Sequence, residues 1–245
     1  MTNTAWTNFR ELILVDKVPV CPGITSFYFK AKDGGKLVKH TPGQFLPFKI
    51  KTNDPKYKDV LRTYSLSMFP NEYTYRISVK KIEGGLISPY LHENLKIGDS
   101  IEAMVPTGLF TIKNKTNDTV LISGGIGITP LLSMLYAESS TRNNIHFIQA
   151  VQNSSVHPFK EDIENIANLS GIKNTVFYSS PLVEDKESVD YNYKGYISKE
   201  FLKENINLNS DFYLCGPPPF MKSVESHLLE LGVNKANIYY ELFSS

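Results

Sequence analysis

Between Thr119 and Leu132 an unbroken apolar stretch runs into a glycine cluster and out into a second apolar stretch: Leu121-Ile122-Ser123-Gly124-Gly125-Ile126-Gly127-Ile128-Thr129-Pro130-Leu131-Leu132. Thr119–Ile122 shows no alternation of polar and apolar residues, which is the pattern of a strand buried on both faces. Pro130 then opens a segment of helical character, Leu131–Tyr136, because proline suits a first helical turn. Three glycines let the backbone come close to a ligand, and a helix start offers unpaired N–H groups and a positive dipole end, which together suit a pyrophosphate. The spacing Gly-Gly-x-Gly-x-Thr-Pro is not the Gly-x-Gly-x-x-Gly of the Rossmann fingerprint. A tight strand-to-helix turn with no ligand would draw on the same residues, so the flanking chain must decide what the turn holds.

That flanking chain changes rhythm once. From Phe9 to about Lys113, short strand-like segments alternate with Gly, Pro, Asn and Asp. Strands are predicted at 10–18, 24–31, 44–50, 62–68, 73–80 and 100–105, and only 87–94 reads as helical. Turn signals fall at Pro22-Gly23, Asp33-Gly34-Gly35, Thr41-Pro42-Gly43, Pro70-Asn71 and Ile97-Gly98-Asp99. Six short strands at this spacing predict a small antiparallel β-barrel. After the polar link 113–118, strands at 119–123, 145–151, 175–178, 212–215 and 238–243 alternate with helices at 131–138, 159–169, 199–204 and 218–231. This alternation predicts an α/β domain, a doubly wound parallel sheet with helices on both faces. The expected boundary is 1–113 for the barrel and 114–245 for the α/β domain. In such a sheet ligands bind beyond the carboxyl ends of the strands, where both Gly124–Gly127 and Cys215-Gly216-Pro217-Pro218 fall.

Composition closes off other classes. A net charge of +1 argues against nucleic acid as a partner. No apolar run reaches the roughly 20 residues that span a bilayer, and Met1–Arg10 lacks the apolar core of a signal peptide. Two cysteines, Cys21 and Cys215, are too few for a cysteine-ligated iron–sulfur cluster and give no disulfide framework, so a reducing cytoplasm is expected. The five histidines lack metal-ligand spacing, and no metal is expected.

Three clusters in the first half have chemical character. On a strand, Arg62 and Tyr64 share one face and Thr63 and Ser65 the other. A guanidinium beside an aromatic ring suits a ligand with both a phosphate and a flat ring, although an ordinary amphipathic strand reads the same way. Gly84-Gly85-Leu86-Ile87-Ser88 precedes the helical stretch and offers backbone N–H groups and a hydroxyl, a second candidate anion site or simply a turn and cap. Pro42-Gly43-Gln44-Phe45 places an aromatic at the mouth of a strand. In the second half, Cys215 ends a strand and is either a ligand contact or a small buried apolar residue.

Taken in order, 62–65, 84–88, 124–130 and 215–217 resemble the ferredoxin–NADP reductase superfamily, and most closely the reductase module of flavohaemoglobins. The resemblance spans Phe9 to Phe243, with Pro42–Phe45, Val156–Phe159 and Tyr240–Phe243 in support. It implies an FAD-dependent oxidoreductase that passes electrons from NADH or NADPH to a separate acceptor. It implies that Arg62 pairs with the FAD pyrophosphate, that Tyr64 lies along the isoalloxazine, and that Ser65 hydrogen-bonds near its N5. Thr63 belongs to the same motif, and Val79 and Lys80 line the ribityl and phosphate path. Gly84, Gly85 and Ser88, with Leu86 and Ile87 between them, hold the pyrophosphate, and Phe45 flanks the cofactor. Gly124, Gly125, Ile126, Gly127, Ile128 and Thr129, closed by Pro130, take the dinucleotide pyrophosphate. Cys215, followed by Gly216 and Pro217, sits near the nicotinamide, Phe243 covers the flavin, and Glu241 matches an acidic position near it. Ser65, Cys215 and Glu241 are the expected catalytic set.

The sequence departs from that module where Ser244-Ser245 replace a terminal Gly-Pro, and neither a globin half nor a ferredoxin domain is expected with it. The acceptor is therefore expected to be another protein, a flavodoxin, ferredoxin, globin or oxygenase component, and the chain itself a monomer. Val151-Gln152-Asn153-Ser154-Ser155 carries no basic residue before Lys160, which favours NADH over NADPH. A flavin reductase that releases its flavin, or a non-catalytic regulatory subunit on the same fold, are the alternative readings.

Overall fold

The structure is a computed structural model and describes residues 6–243, so the expectations placed on Met1–Ala5 and Ser244–Ser245 lie outside the described residues. The chain divides into two units between Thr111 and Ile112.

In the first unit six strands form one antiparallel sheet: β1 (Arg10–Cys21), β2 (Ile24–Ala31), β3 (Phe45–Ile50), β4 (Leu61–Ser65), β5 (Tyr75–Lys80) and β6 (Ser100–Ala103), in the order β4-β3-β6-β1-β2-β5. The two edge strands meet through a bridge between Leu66 and Ile77, and Ser67 N donates to Arg76 O at 2.9 Å, so the sheet closes on itself as a barrel. Closure removes the unpaired edges that an open sheet would expose. The barrel is filled by Leu12, Leu14, Phe27, Phe29, Phe48 and Tyr75, all fully buried.

β1 runs three residues beyond its expected end at Val18. Pro19 lacks a ladder N–H and signals a strand end, but irregular register between Leu14 and Asp16 and between Pro19 and Cys21 lets the strand bend and continue beside β2. β4 is shorter than expected, because the chain past Ser65 turns to pair with β5. The alternation at 73–80 predicts a half-buried strand, yet Tyr75–Val79 are all buried. Its polar side chains satisfy one another inside: the Ser78 hydroxyl lies 2.8 Å from those of both Ser26 and Ser67, and the Arg76 guanidinium donates to the Ser67 carbonyl. The single helix, α1 (Ile87–Glu93), ends on Lys17, whose Nζ donates to the carbonyls of Leu91 (3.0 Å), His92 (2.6 Å) and Leu95 (3.1 Å). A cation there satisfies carbonyls that have no helical partner.

The second unit is a parallel sheet of β7 (Thr119–Gly124), β8 (Ile145–Val151), β9 (Lys173–Tyr178), β10 (Tyr193–Lys194), β11 (Asp211–Cys215) and β12 (Ile238–Glu241), ordered β10-β9-β8-β7-β11-β12. The helices are α2 (Ile128–Glu138), α3 (Lys160–Ser170), α4 (Lys199–Asn205) and α5 (Pro218–Glu230). Every residue of β7 and β11 is buried, as expected of strands covered on both faces. Progress along the sheet reverses between these two strands, which makes their carboxyl ends a switch point. α2 begins three residues before its expected start, with Pro130 as its third residue. The first four helical N–H groups have no partner within the helix, so proline costs nothing there. The two-residue β10 was not expected, and β12 ends at Glu241, leaving Leu242 and Phe243 outside the ladder.

A buried hydrogen-bond chain ties β8, β9 and the loop after β8 together. Gln149 Nε2 donates to Asn174 Oδ1 (2.9 Å), which leaves Gln149 Oε1 to accept from His157 Nε2 (2.8 Å) and His157 Nδ1 to accept from the Tyr178 hydroxyl (2.9 Å). Burial lowers the His157 pKa to about 4, consistent with an imidazole that is neutral in this chain.

Candidate functional site

The residues singled out in the sequence fall on a few elements of each unit. In the first unit, β3 and β4 pair so that Phe45 faces Ser65, Leu46 faces Tyr64, Pro47 faces Thr63 and Phe48 faces Arg62. Phe45 is held by the loop behind it: Gly108 (φ +121°) passes so close that a methyl group there would lie 2.9 Å from the ring. Tyr64 stacks on Phe48, ring centroids 5.6 Å apart and 27° between planes, and burial pushes its hydroxyl pKa up to about 12. Ser65 is buried; Arg62 and Thr63 are exposed. The Arg62 guanidinium donates to its neighbour's carbonyl, Leu61 O, at 2.9 Å, and no carboxylate among the described residues pairs with it. An exposed guanidinium without a carboxylate partner is chemically suited to a phosphate.

The Gly84-Gly85 turn lies at the entry to α1. Gly84 has φ +70°, a left-handed conformation that favours glycine, and nothing lies within 4 Å of where its side chain would be. Gly85 packs tightly on Ile82 O and Ser88 Oγ, and that hydroxyl already accepts from Ile82 N at 3.1 Å. Ser88 therefore shapes the turn while its own proton remains to be donated. Val79 and Ile87 belong to the barrel core, so their side chains are not available to a ligand and only their backbones are. Lys80 is exposed and Leu86 half-buried. An open turn and two exposed cations fit a pyrophosphate with a flat ring system attached, the chemistry of FAD.

In the second unit a cavity of about 450 Å³ opens at the carboxyl ends of the strands. Gly124 and Gly125 line it at the end of β7, Val151 and Gln152 at the end of β8, Ser179 after β9, and Pro217 after β11. No lysine or arginine is among its lining residues. The turn glycines have separate reasons to be glycine. Gly125 has φ +52° and is open on its side-chain side. Gly127, with an ordinary helical φ of −60°, is glycine for room: a methyl group on it would lie 2.3 Å from the Cys215 carbonyl oxygen. Gly124 and Gly216 are crowded by the ring of Phe220. Ile128, Thr129 and Pro130 are buried, and Thr129 Oγ1 donates to Ile126 O at 3.2 Å, so of the turn it is Gly124 and Gly125 that face the cavity. The cavity fits a dinucleotide at a helix start.

Cys215 and Glu241 are direct partners across β11 and β12. Burial, reinforced by the Glu241 carboxylate, pushes the Cys215 thiol far up, so it stays protonated and is no nucleophile. Burial also raises the Glu241 carboxyl pKa to about 7, and its Oε2 has no hydrogen-bond partner among the described residues. Phe243 is partly exposed beyond the end of β12. Gln152, in the stretch read for nicotinamide preference, is on the cavity wall, and residues that sequence reasoning missed there are Ser179, Tyr196, Phe220 and Ser223. Their one sequence signal is position, since each lies just past a strand end or on the first turns of α5.

Residues 11–112 match the oxidoreductase FAD-binding domain family and residues 121–226 the oxidoreductase NAD-binding domain family. The chain is 40% identical over 248 residues to a flavohemoprotein of Bacillus thuringiensis, and 38% identical over 242 residues to that of Bacillus subtilis. These alignments take in 97% of this chain but 61% and 60% of the relatives, so the chain spans about three fifths of the curated relatives it matches. The flavohem-like FAD/NAD binding domain of nitric oxide dioxygenase from Vibrio cholerae superposes with a TM-score of 0.87 at 32% identity, over 97% of this chain and all of that one.

The contrast between the turn glycines is testable. Gly127→Ala is expected to cost about 3 kcal/mol, the upper end of overpacking penalties, whereas Gly125→Ala costs about 1 kcal/mol of left-handed strain. Urea denaturation of the two variants checks the order, and equal costs would remove the backbone crossing as the reason for Gly127.

Proposed function

The chain belongs to the family of FAD- and NAD-binding oxidoreductase modules of the flavohaemoprotein type, and from that premise we propose that it passes electrons from NADH through FAD to a separate acceptor protein. The observation that carries this reading is the pairing of two ligand-shaped places, one per unit: an unpaired cation with an open glycine turn, and a cavity at a switch point. When bound, the dinucleotide supplies a hydride and FAD the group that receives it and hands electrons on. The relatives' name, flavohemoprotein, favours a haem protein as acceptor, with a flavodoxin, ferredoxin or oxygenase component as the other classes. Two free cysteines and no helix among the described residues long and apolar enough to cross a membrane accord with a cytoplasmic setting.

The chain's own residues have distinct tasks in this reading. Arg62 holds the FAD pyrophosphate by charge-assisted hydrogen bonds, with the peptides of Gly84 and Gly85 and the Ser88 hydroxyl beside it. Lys80 adds charge along the same path. Phe45, Thr63, Tyr64 and Ser65 frame the flavin ring, and Ser65 gives it a hydrogen bond. The turn at Gly124 and Gly125 takes the dinucleotide pyrophosphate, Pro217 borders the same cavity, and Gly216 is buried against the Phe220 ring. Cys215, fully buried and not among the cavity's lining residues, acts through its carbonyl, which seats Gly127. Glu241 holds a proton near neutrality, and Phe243, exposed beyond β12, is the aromatic ring that would cover a flavin face. A 2′-phosphate would bring two negative charges into a cavity without a basic lining residue, which sets the preference for NADH.

Purified protein is expected to carry a flavin absorbance that bleaches on anaerobic NADH titration, with kcat/KM for NADH above that for NADPH. A preference for NADPH of about tenfold or more would overturn the cavity argument. Arg62→Ala is expected to lose most of its FAD on gel filtration while keeping its fold by circular dichroism; full flavin occupancy would remove Arg62 from the site. Because Glu241 is protonated below its pKa of about 7, turnover is expected to fall as pH rises through that value. Glu241→Gln, permanently neutral, lacks the inflection, and an unchanged pH profile would show that Glu241 moves no proton.

A further inference from the structure

Phe220 is the third residue of α5, is half-buried, and lines the dinucleotide cavity. Its ring occupies the space in which two glycines would otherwise carry side chains. A methyl group on Gly124 would lie 2.8 Å from Phe220 Cδ1, and one on Gly216 would lie 2.6 Å from the same atom. Neither glycine has a left-handed φ, so backbone conformation does not demand glycine at either place; room for the ring does. Gly124 and Gly216 also lie against each other, with the Gly124 Cα 3.0 Å from a methyl built on Gly216. The two turns thus cross at bare backbone, and one aromatic ring closes over the crossing. Gly125 beside it is the open glycine of the turn and lines the same cavity.

We propose that Phe220 is a positioning residue for the dinucleotide: its ring, seated by Gly124 and Gly216, keeps the ligand off the buried crossing and sets its sugar–phosphate portion over the Gly125 peptide. This rests on the reading that the cavity takes a nicotinamide dinucleotide. Without the ring the ligand has a deeper, looser place to settle, so binding weakens while FAD retention in the other unit is untouched. The crowding also couples the three residues. A methyl group on Gly124 unseats the ring, and once the ring is gone the methyl has nothing to displace.

The test uses the FAD-loaded full chain and two readouts: calorimetric titration with NAD+, and steady-state NADH oxidation with ferricyanide. Phe220→Ala is expected to raise both the Kd for NAD+ and the KM for NADH about tenfold with kcat changed far less, the signature of lost binding rather than lost chemistry. Gly124→Ala is expected to weaken NAD+ binding to a similar degree, and in Gly124→Ala/Phe220→Ala the two effects are not additive. Should Phe220→Ala fail to fold, Phe220→Leu carries the same test with a rise of about threefold. A Kd for NAD+ in the Phe220 variant equal to that of the wild type, or fully additive losses in the double variant, would overturn the proposal. Wild-type protein that neither binds NAD+ nor oxidises NADH would instead overturn the proposed function, a result distinct from variants that bind as the wild type does.

Discussion

Gly127 passes so close to the end of β11 that its hydrogen is the largest substituent the Cys215 carbonyl leaves room for, and the next turn over, Gly216, lies against Gly124 less tightly. These contacts bring together the two connections that leave the sheet on either side of its switch point, β7 to α2 and β11 to α5. Most of what the second unit offers a ligand follows from them. The cavity opens beyond the crossing, where the Phe220 ring covers the bare backbone and Gly124 and Gly125 line the wall. Glycine serves three purposes in four positions: a left-handed φ at Gly125, room for a backbone at Gly127, and room for an aromatic ring at Gly124 and Gly216.

The first unit solves a different problem. A closed barrel has no free edge to offer a cofactor, and its interior is full. What remains for binding is the surface of β4, the end of β5 and the turn into α1, and these carry Arg62, Lys80 and the open Gly84. The barrel holds these elements by means that leave them undistorted: Ser67 and Arg76 lace β4's continuation to β5, and Lys17 fastens the far end of α1 through three carbonyls. Arg62, Lys80 and Gly84 can therefore stay exposed while the frame around them is held in place.

Much of this was legible in the residue order. Buried strands at 119–123 and 212–215, the glycine turn, and the change of rhythm near 113 led to the two architectures, because hydrophobic periodicity and turn residues report local backbone directly. The sequence could not reveal which glycines serve a ligand and which serve packing, since that depends on Phe220 and Cys215, some ninety residues away. The same limit applies to β5, whose polar residues alternate as if solvated but bond to Ser26 and Ser67 from other strands. It applies also to Val79 and Ile87, which lie within binding motifs and yet point into the core. Cys215 and Glu241 were recognisable as residues worth noting, but their protonation states follow from burial and mutual contact that appear only when β11 and β12 pair.

The run Pro217-Pro218-Pro219 at the cavity wall leads into α5 with Pro218 and Pro219 as its first two residues. Three consecutive rings fix φ in the unfolded chain almost as firmly as in the folded one, so this stretch gives up little freedom when the domain forms. A ligand that settles against it likewise has no loop to quiet. That side of the cavity is preorganised by covalent structure, so the entropy lost by any ligand that binds there falls chiefly on the ligand.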